Sequence, residues 1–323
     1  MPLQISDRVR ALAAQAQAEV REQFDRIDAI AEENSLKVLS AFQKHRVAEG
    51  YFAGTTGYGY DDLGRDKLEE IYADIFGTED ALVRIGFVNG THAIACALFG
   101  ALKPGDVLVS AVGAPYDTLL GVIGVVDKGP GSLKSYGVEY RQVEFLDNAP
   151  DPEGLARAVR DPRVKAVLIQ RSKGYSTRAS LSVAEIGALC RVVRANNPQA
   201  AILVDNCYGE FVETTEPTSS QVRHDIIQMI HFGAPDPLKR FCKGIQFGAP
   251  VDSYVTPEPW DMPGYDCPVI MAAGAFIQGA SIELSCDAPM REPYTAYLQG
   301  GLTYESGKAG VLLAVEELLR AER

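Results

Sequence analysis

Asp205 ends the apolar run Ala201-Ile-Leu-Val-Asp205-Asn-Cys-Tyr-Gly-Glu210, where a buried-strand pattern passes straight into an acid, an amide and an aromatic. In an open α/β sheet, chemical groups are delivered at the carboxyl ends of the strands. A carboxylate buried there needs a partner, either a protonated ring nitrogen of a ligand or the N–H groups of a local turn or cap. Two further strand ends carry candidates. Asn89-Gly90-Thr91-His92 lies between a strand candidate and a helix, so its N–H groups form either an anion site, with the Thr91 hydroxyl added, or a plain capped turn. Tyr116, after Ala114-Pro115, can stack on a flat ring or pack under a loop. Strand ends on one side of a parallel sheet converge. An anion anchor, a ring stacker and an acid for a ring nitrogen facing one crevice together describe a pyridoxal phosphate site.

The elements that must position these residues can be traced along the chain. Residues from about Asp7 to Gly50 are charged and Ala-rich, with Val9, Leu12, Ala13, Ala16 and Val20 at helical spacing. Gly54 to Asp62 is glycine-rich and aromatic, a loop, and Asp66 to Phe76 is amphipathic helix. Strands are then expected at 81–88, 107–112, 138–145, 164–170 and 201–205, with helices at 91–102, 117–126 and 151–160 between them. Another helix is opened by the capping box Ser182-Val-Ala-Glu185 and stopped at Asn196-Asn197-Pro198. This alternation predicts an α/β fold with a mainly parallel sheet covered on both faces. Past Glu213–Ser220 the rhythm breaks. Helices at 222–231 and 235–247, a hairpin of 269–276 with 281–286, a strand at 294–298 and a closing helix at 304–319 read as α+β. The expected division is a helical arm over 1–55, a large α/β domain over 56–216 and a small domain over 222–323.

With 323 residues, 46% of them hydrophobic, the chain can bury the cores of one large and one smaller domain. A net charge of −12 argues against nucleic acid or an anionic membrane as partner. The six cysteines include no CxxC pair and the four histidines lack ligand spacing, so no metal site is expected. Scattered cysteines read as reduced thiols, and neither a signal peptide nor a transmembrane-length apolar run is visible, so a soluble cytoplasmic protein is expected.

Longer segments carry a resemblance. Thr56-Gly-Tyr-Gly-Tyr-Asp-Asp-Leu-Gly-Arg65, Val88-Asn-Gly-Thr-His-Ala-Ile94, Ala114-Pro-Tyr-Asp-Thr-Leu119, Gln170-Arg-Ser-Lys-Gly-Tyr-Ser176 and Val204-Asp-Asn-Cys-Tyr-Gly-Glu-Phe211 resemble the pyridoxal-phosphate-dependent cystathionine lyases and methionine γ-lyases. Residues 251–265 and 297–304 match as well, and the nearest branch is the one called aluminium-resistance or carbon–sulfur lyase proteins. The resemblance covers nearly the whole chain and implies the fold type I, PLP-dependent transferase-like architecture. It implies phosphate-cup roles for Gly90 and Thr91, ring stacking for Tyr116, and for Asp205 the acid that keeps the pyridine nitrogen protonated. It places Tyr58 and Tyr60 in the neighbouring subunit's phosphate site, which implies a homodimer with shared sites, within a tetramer. Position 60 departs from the better-known lyases, which carry arginine there. Arg171, Lys173 and Arg178 follow a strand end, where an anion could be met or a basic loop solvated; Arg291 and Arg171 are the candidates for a substrate carboxylate. The implied activity is cleavage of a C–S bond, by β- or γ-elimination, in a small sulfur-containing amino acid.

One part of that resemblance is missing. The family's Schiff-base lysine lies about two dozen residues past the aspartate, but positions 229 and 230 here are methionine and isoleucine. The chain passes from Glu216-Pro-Thr218 into Ser220-Gln-Val-Arg-His-Asp-Ile-Ile227, which resembles small-domain sequence. A block of roughly three β–α units at ~30 residues each is therefore expected to be absent at about 217–222, leaving the central sheet incomplete and an edge exposed. A genetic deletion and a stretch omitted from the sequence both account for this. Lys173 is the substitute nearest the sheet's carboxyl edge, while Lys239 and Lys243 fall on a small-domain helix. The rival reading is a truncated, non-catalytic homologue acting as a subunit or binding protein. A nucleotide-binding module is disfavoured because no GxGxxG or Walker motif is present.

Overall fold

The structure is a computed structural model. It describes residues 5–54, 62–84, 87, 89–126, 130–173, 178–207 and 209–218, the strand backbones at 226–229, 269–272, 275–278 and 297–298, and helical positions 312, 315, 316 and 319. Two compact units divide the chain, one of residues 37–231 and one of 1–36 with 232–323.

In the larger unit, five strands form one parallel sheet in the order β2 (Glu139–Gln142), β1 (Val107–Ser110), β3 (Val164–Gln170), β4 (Ala201–Asp205), β5 (Ile226–Met229). The chain runs outward from β1 to β2, then crosses back to β3, so the topological switch falls between β1 and β3. That is where open α/β sheets take their ligands.

The strands read as continuous apolar runs because both faces are covered. Their alternating side chains sort into two cores. Val107, Val109, Val167, Ile169, Ile202 and Val204 pack against α6 (Pro152–Val159) and α7 (Val183–Asn196). Leu108, Ala166, Leu168 and Leu203 pack against α4 (Gly90–Ala101) and α5 (Asp117–Ile123). Each fully buried leucine contributes about 1.5–3 kcal/mol. The expected capping box opens α7, with Ser182 Oγ accepting from Glu185 N–H and the Glu185 carboxylate accepting from Ser182 N–H.

Two expectations are corrected in this unit. The strand predicted at 81–88 is absent over 81–84. The buried carboxylate of Glu69, on α3 (Leu63–Phe76), accepts the Val83 N–H at 2.8 Å and pairs with Arg84, so these residues are tied to a helix instead of a ladder. The helix predicted over 222–231 is instead a strand at 226–229. There β5 pairs with β4 in register Ile202↔Ile226 through Asp205↔Met229, so the edge expected on β4 is covered. A docked sheet edge outweighs a helical periodicity that β-branched Ile226 and Ile227 support poorly.

In the other unit, α1 (Asp7–Glu19) starts at Ser6, whose N–H and Oγ–H both donate to Glu316 Oε2, at 2.8 and 2.7 Å. β6 (Val269–Ala272), β7 (Ala275–Gln278) and β8 (Tyr297–Leu298) form an antiparallel sheet. The stretch expected to be one strand, 269–276, is divided between β6 and β7, which pair from Val269↔Gln278 to Ala272↔Ala275. The helix expected at 235–247 and the strand at 281–286 lie outside the described residues. α2 (Arg21–Lys44) is shared by the two units and carries Ile27, Leu36 and Leu39 exposed.

Candidate active site

Parity along the strands aims two polar residues at one face. On β4, Leu203 belongs to the α4/α5 core, so Asp205, two residues on, lies on that same face; on β3, Leu168 and Gln170 stand in the same relation. Gln170 and Asp205 are register partners at the carboxyl ends of adjacent strands, 4% and 5% exposed. The α4 and α5 helices that cover this face present their amino termini at the same edge.

Those termini carry the other candidates. Asn89 caps α4, its Oδ1 accepting from His92 N–H at 2.8 Å, which leaves Gly90 and Thr91 as the first residues of the helix. The Thr91 and Thr118 hydroxyls meet at 2.8 Å, joining the first turns of α4 and α5. Tyr116 is the N-cap of α5, and its backbone N–H donates to Gln170 Oε1 at 2.6 Å. A continuous path thus runs from Thr91 through Thr118 and Tyr116 to Gln170 and Asp205.

Asp205 is the charge in this arrangement. Cys207 N–H donates to its Oδ1 at 3.1 Å, and among the described residues no lysine or arginine forms an ion pair with it. Burial pushes its carboxyl above the usual range, with Cys207 opposing that shift. Such a carboxylate is stabilised by an incoming cation, and a protonated ring nitrogen is a cation of suitable size. The donor set therefore fits pyridoxal phosphate: helix N-termini with a hydroxyl at one end and an acid at the other.

Arg171 corrects the sequence reading. It was expected to meet a substrate anion or to lie on a solvated loop; instead it is 3% exposed and its guanidinium is spent on the protein. Nε donates to Leu181 O at 3.0 Å, Nη1 to Asn206 Oδ1 at 2.9 Å and Gly209 O at 2.6 Å, and Nη2 to Glu213 Oε1 at 2.6 Å. Glu216, also buried, accepts from Phe211 N–H at 2.8 Å and Asn206 Nδ2 at 3.1 Å, and burial raises its pKa. The loop after Asp205 is thereby wrapped around one cation, and Thr218 Oγ ties its far end to Phe76 O. Gly209 is required by this packing, since a Cβ there would lie 2.3 Å from Asn206 Oδ1 and 2.5 Å from Arg171 Cδ.

The remaining candidates are dispersed. Lys173 is exposed at the end of β3, with its N–H donating to Ser180 Oγ at 3.3 Å. Arg178 lies over the Phe145 ring at 4.8 Å and donates to Ser172 O and Ala179 O. Tyr58, Tyr60, Arg291, Lys239 and Lys243 lie outside the described residues. Cys190 is buried with its thiol pushed up to about 11, an inert core residue, while Cys96 is exposed. Among the described residues no cluster could hold a metal ion, and no helix is long and apolar enough to cross a membrane. A depression lined by Lys103, Asp106, Lys165 and Gln199 sits at the amino-terminal edge of the sheet, opposite this chemistry.

Gln170, Asn206 and Glu216 were missed by the sequence reading. The signal for Gln170 was present: it ends an apolar strand as Asp205 does. The signal for the other two was not: Asn206 meets Arg171, 35 residues away, and Glu216 acts through Asn206 and the Phe211 N–H.

Comparison with known proteins bears on the family and the fold. The family model for methionine gamma-lyase matches residues 9–222 and 216–319. The uncharacterised protein YnbB of Bacillus subtilis is 36% identical over 406 alignment positions that take in 96% of each chain. A solved carbon-sulfur lyase involved in aluminum resistance from Clostridium novyi is 36% identical over 97% of this chain and 96% of its own, with a TM-score of 0.73. A Listeria innocua structure, described as involved in aluminum resistance, is 42% identical with a TM-score of 0.63, over 67% of this chain but only 52% of its own length. With its parallel sheet and a family-model match that runs from residue 9 to residue 319, this chain belongs to the methionine gamma-lyase family.

Proposed function

We propose that this chain binds pyridoxal 5'-phosphate at the carboxyl edge of β1, β3 and β4, and that its parent reaction is cleavage of a C–S bond in a sulfur-containing amino acid. The observation that carries the reading is Asp205, a buried carboxylate at a strand end, on the face where the N-termini of α4 and α5 open. When bound, the cofactor supplies an electron sink for carbanion chemistry next to the amino group of the substrate. Asp205 holds the ring-nitrogen proton in place. Tyr116 stacks on the ring, and Gly90 and Thr91 donate to the phosphate. Tyr58 and Tyr60 of a neighbouring copy complete the phosphate contacts in a homodimer or tetramer, for which the exposed Ile27, Leu36 and Leu39 of α2 offer apolar surface. The cytoplasm is the compartment that suits free thiols at Cys96, Cys190 and Cys207.

We further propose that turnover is lost because the lysine that would move the substrate's α-proton is absent. The family match falls into two pieces that overlap at 216–222, the junction read from the sequence. In the alignment to the B. subtilis relative, 96% of 323 residues is about 310, so about 96 of the 406 positions have no residue of this chain opposite them. That is close to three β–α units. The chain is then a cofactor-binding homologue without normal lyase activity, and β5 occupies the place beside β4.

The test uses pyridoxamine 5'-phosphate, which needs no lysine. Fluorescence titration is expected to show saturable binding that Asp205→Asn weakens about 100-fold, the scale of losing a buried charged partner. Equal affinity in the variant would refute the assignment of Asp205.

A further inference from the structure

The geometry points to Gln170 as the residue that positions the Tyr116 ring over the site, an inference that rests on the cofactor reading above. Gln170 is buried at the end of β3 and uses both ends of its amide. Its Oε1 accepts the Tyr116 N–H at 2.6 Å, and its Nε2 donates to Ser172 O at 3.1 Å. The first bond crosses the switch between β1 and β3, and the second closes onto its own strand's exit. Its Cα is the register partner of Asp205.

The consequence is geometric. Tyr116 follows Ala114-Pro115 and caps α5 with φ −52° and ψ 149°, without a side-chain hydrogen bond to the helix. An extended residue at a loop-to-helix joint needs a fixed acceptor if its ring is to hold one distance from a ligand. Gln170 supplies that acceptor from the strand adjoining Asp205. It therefore ties the ring stacker and the ring-nitrogen acid to one rigid frame. The amide's second bond fixes which end is oxygen: with the NH2 taken by a carbonyl, the oxygen must face the Tyr116 N–H.

Gln170→Met keeps the length and removes both bonds. By hydrogen exchange of the full cofactor-free chain, the Tyr116 amide in this variant is expected to exchange at least tenfold faster than wild type. By fluorescence titration, affinity for pyridoxamine 5'-phosphate is expected to fall about tenfold. In a Tyr116→Ala background the same substitution is expected to change affinity by less than twofold, since no ring is left to position. Gln170→Glu retains an acceptor and is expected to keep the Tyr116 amide protected, which serves if Gln170→Met does not fold. Unchanged Tyr116 exchange in Gln170→Met, or an equal affinity loss with and without the Tyr116 ring, would overturn the inference. Should Gln170→Met fail to fold, loss of Tyr116 protection in Gln170→Glu overturns it instead. If wild type binds no pyridoxamine phosphate, the cofactor reading fails and the exchange arm still decides the role of Gln170.

Discussion

Replacing Arg171 with methionine is expected to lower the unfolding free energy by about 3–5 kcal/mol, the range for removing one partner of a buried ionic network. Methionine fills much of the space but leaves Leu181 O, Asn206 Oδ1 and Gly209 O without their donor. Each such loss strands a buried acceptor. Glu213 suffers least: it is half-buried and still accepts the Val183 N–H at 2.8 Å, so it can turn toward water. Arg171→Lys is expected to recover less than half of the loss, because one ammonium cannot span acceptors that the planar fork reaches on several sides. The midpoint of urea unfolding of the intact chain, followed by far-UV circular dichroism, measures the effect. A loss under about 1 kcal/mol would mean that the loop after Asp205 does not depend on this cation. The same loop is anchored from α2, where Lys37 Nζ donates to Thr214 O at 2.8 Å, so neighbouring bonds survive to keep the variant foldable.

Asp205→Asn is expected to have opposite effects with and without cofactor. Burial raises the carboxyl's pKa in the folded protein above its unfolded value. Between those two values the folded state holds more protons, so stability from this group falls as pH rises through the ordinary carboxylate range toward the raised pKa, then levels off. Below the unfolded value both states are protonated and the cost vanishes. In the cofactor-free chain, Asp205→Asn therefore removes a group whose burial costs stability at pH values above the ordinary carboxylate range. Its Tm should exceed wild type at pH 7 and converge with it in acid, read from melting curves across the pH range. With pyridoxamine 5'-phosphate present the order should reverse, because only the aspartate gains the ligand's cation. A variant less stable than wild type at pH 7 without ligand would show that Asp205 already has a compensating partner. A residue costly to the empty protein and favourable only when a ligand arrives is the pattern expected of a functional group.

What was legible in the sequence was local. Strands 164–170 and 201–205 could be read to the residue because an apolar run with both faces buried ends abruptly at Gln170 and Asp205. The Ser182 capping box could be read because all its parts lie within four residues. Three misreadings share one cause. Residues 81–84 look like a strand until Glu69, far earlier on α3, takes the Val83 N–H. Residues 222–231 look helical until β4 offers an open edge to 226–229. Arg171 looks like part of a basic loop until Asn206, Gly209 and Glu213 close around it. In each case the deciding partner is distant in the chain. For the site, the sequence named Gly90, Thr91, Tyr116 and Asp205, and the structure links the elements that bear them through Thr118 and Gln170. Gln170 passed unnoticed because an amide at a strand end has no distinctive chemistry until its two partners are known.

The cofactor-binding edge proposed above is expected to persist without the cofactor lysine. The full chain is incubated with pyridoxal 5'-phosphate, freed of excess, scanned for visible circular dichroism, reduced with borohydride and analysed by intact and peptide mass. The predicted result is an induced cofactor signal that Asp205→Asn removes, with no stoichiometric pyridoxyl group on any one lysine. A single fully modified lysine, at Lys173 or elsewhere, accompanied by cleavage of a sulfur-containing amino acid, would contradict the loss of catalysis; no cofactor signal at all would contradict the site itself.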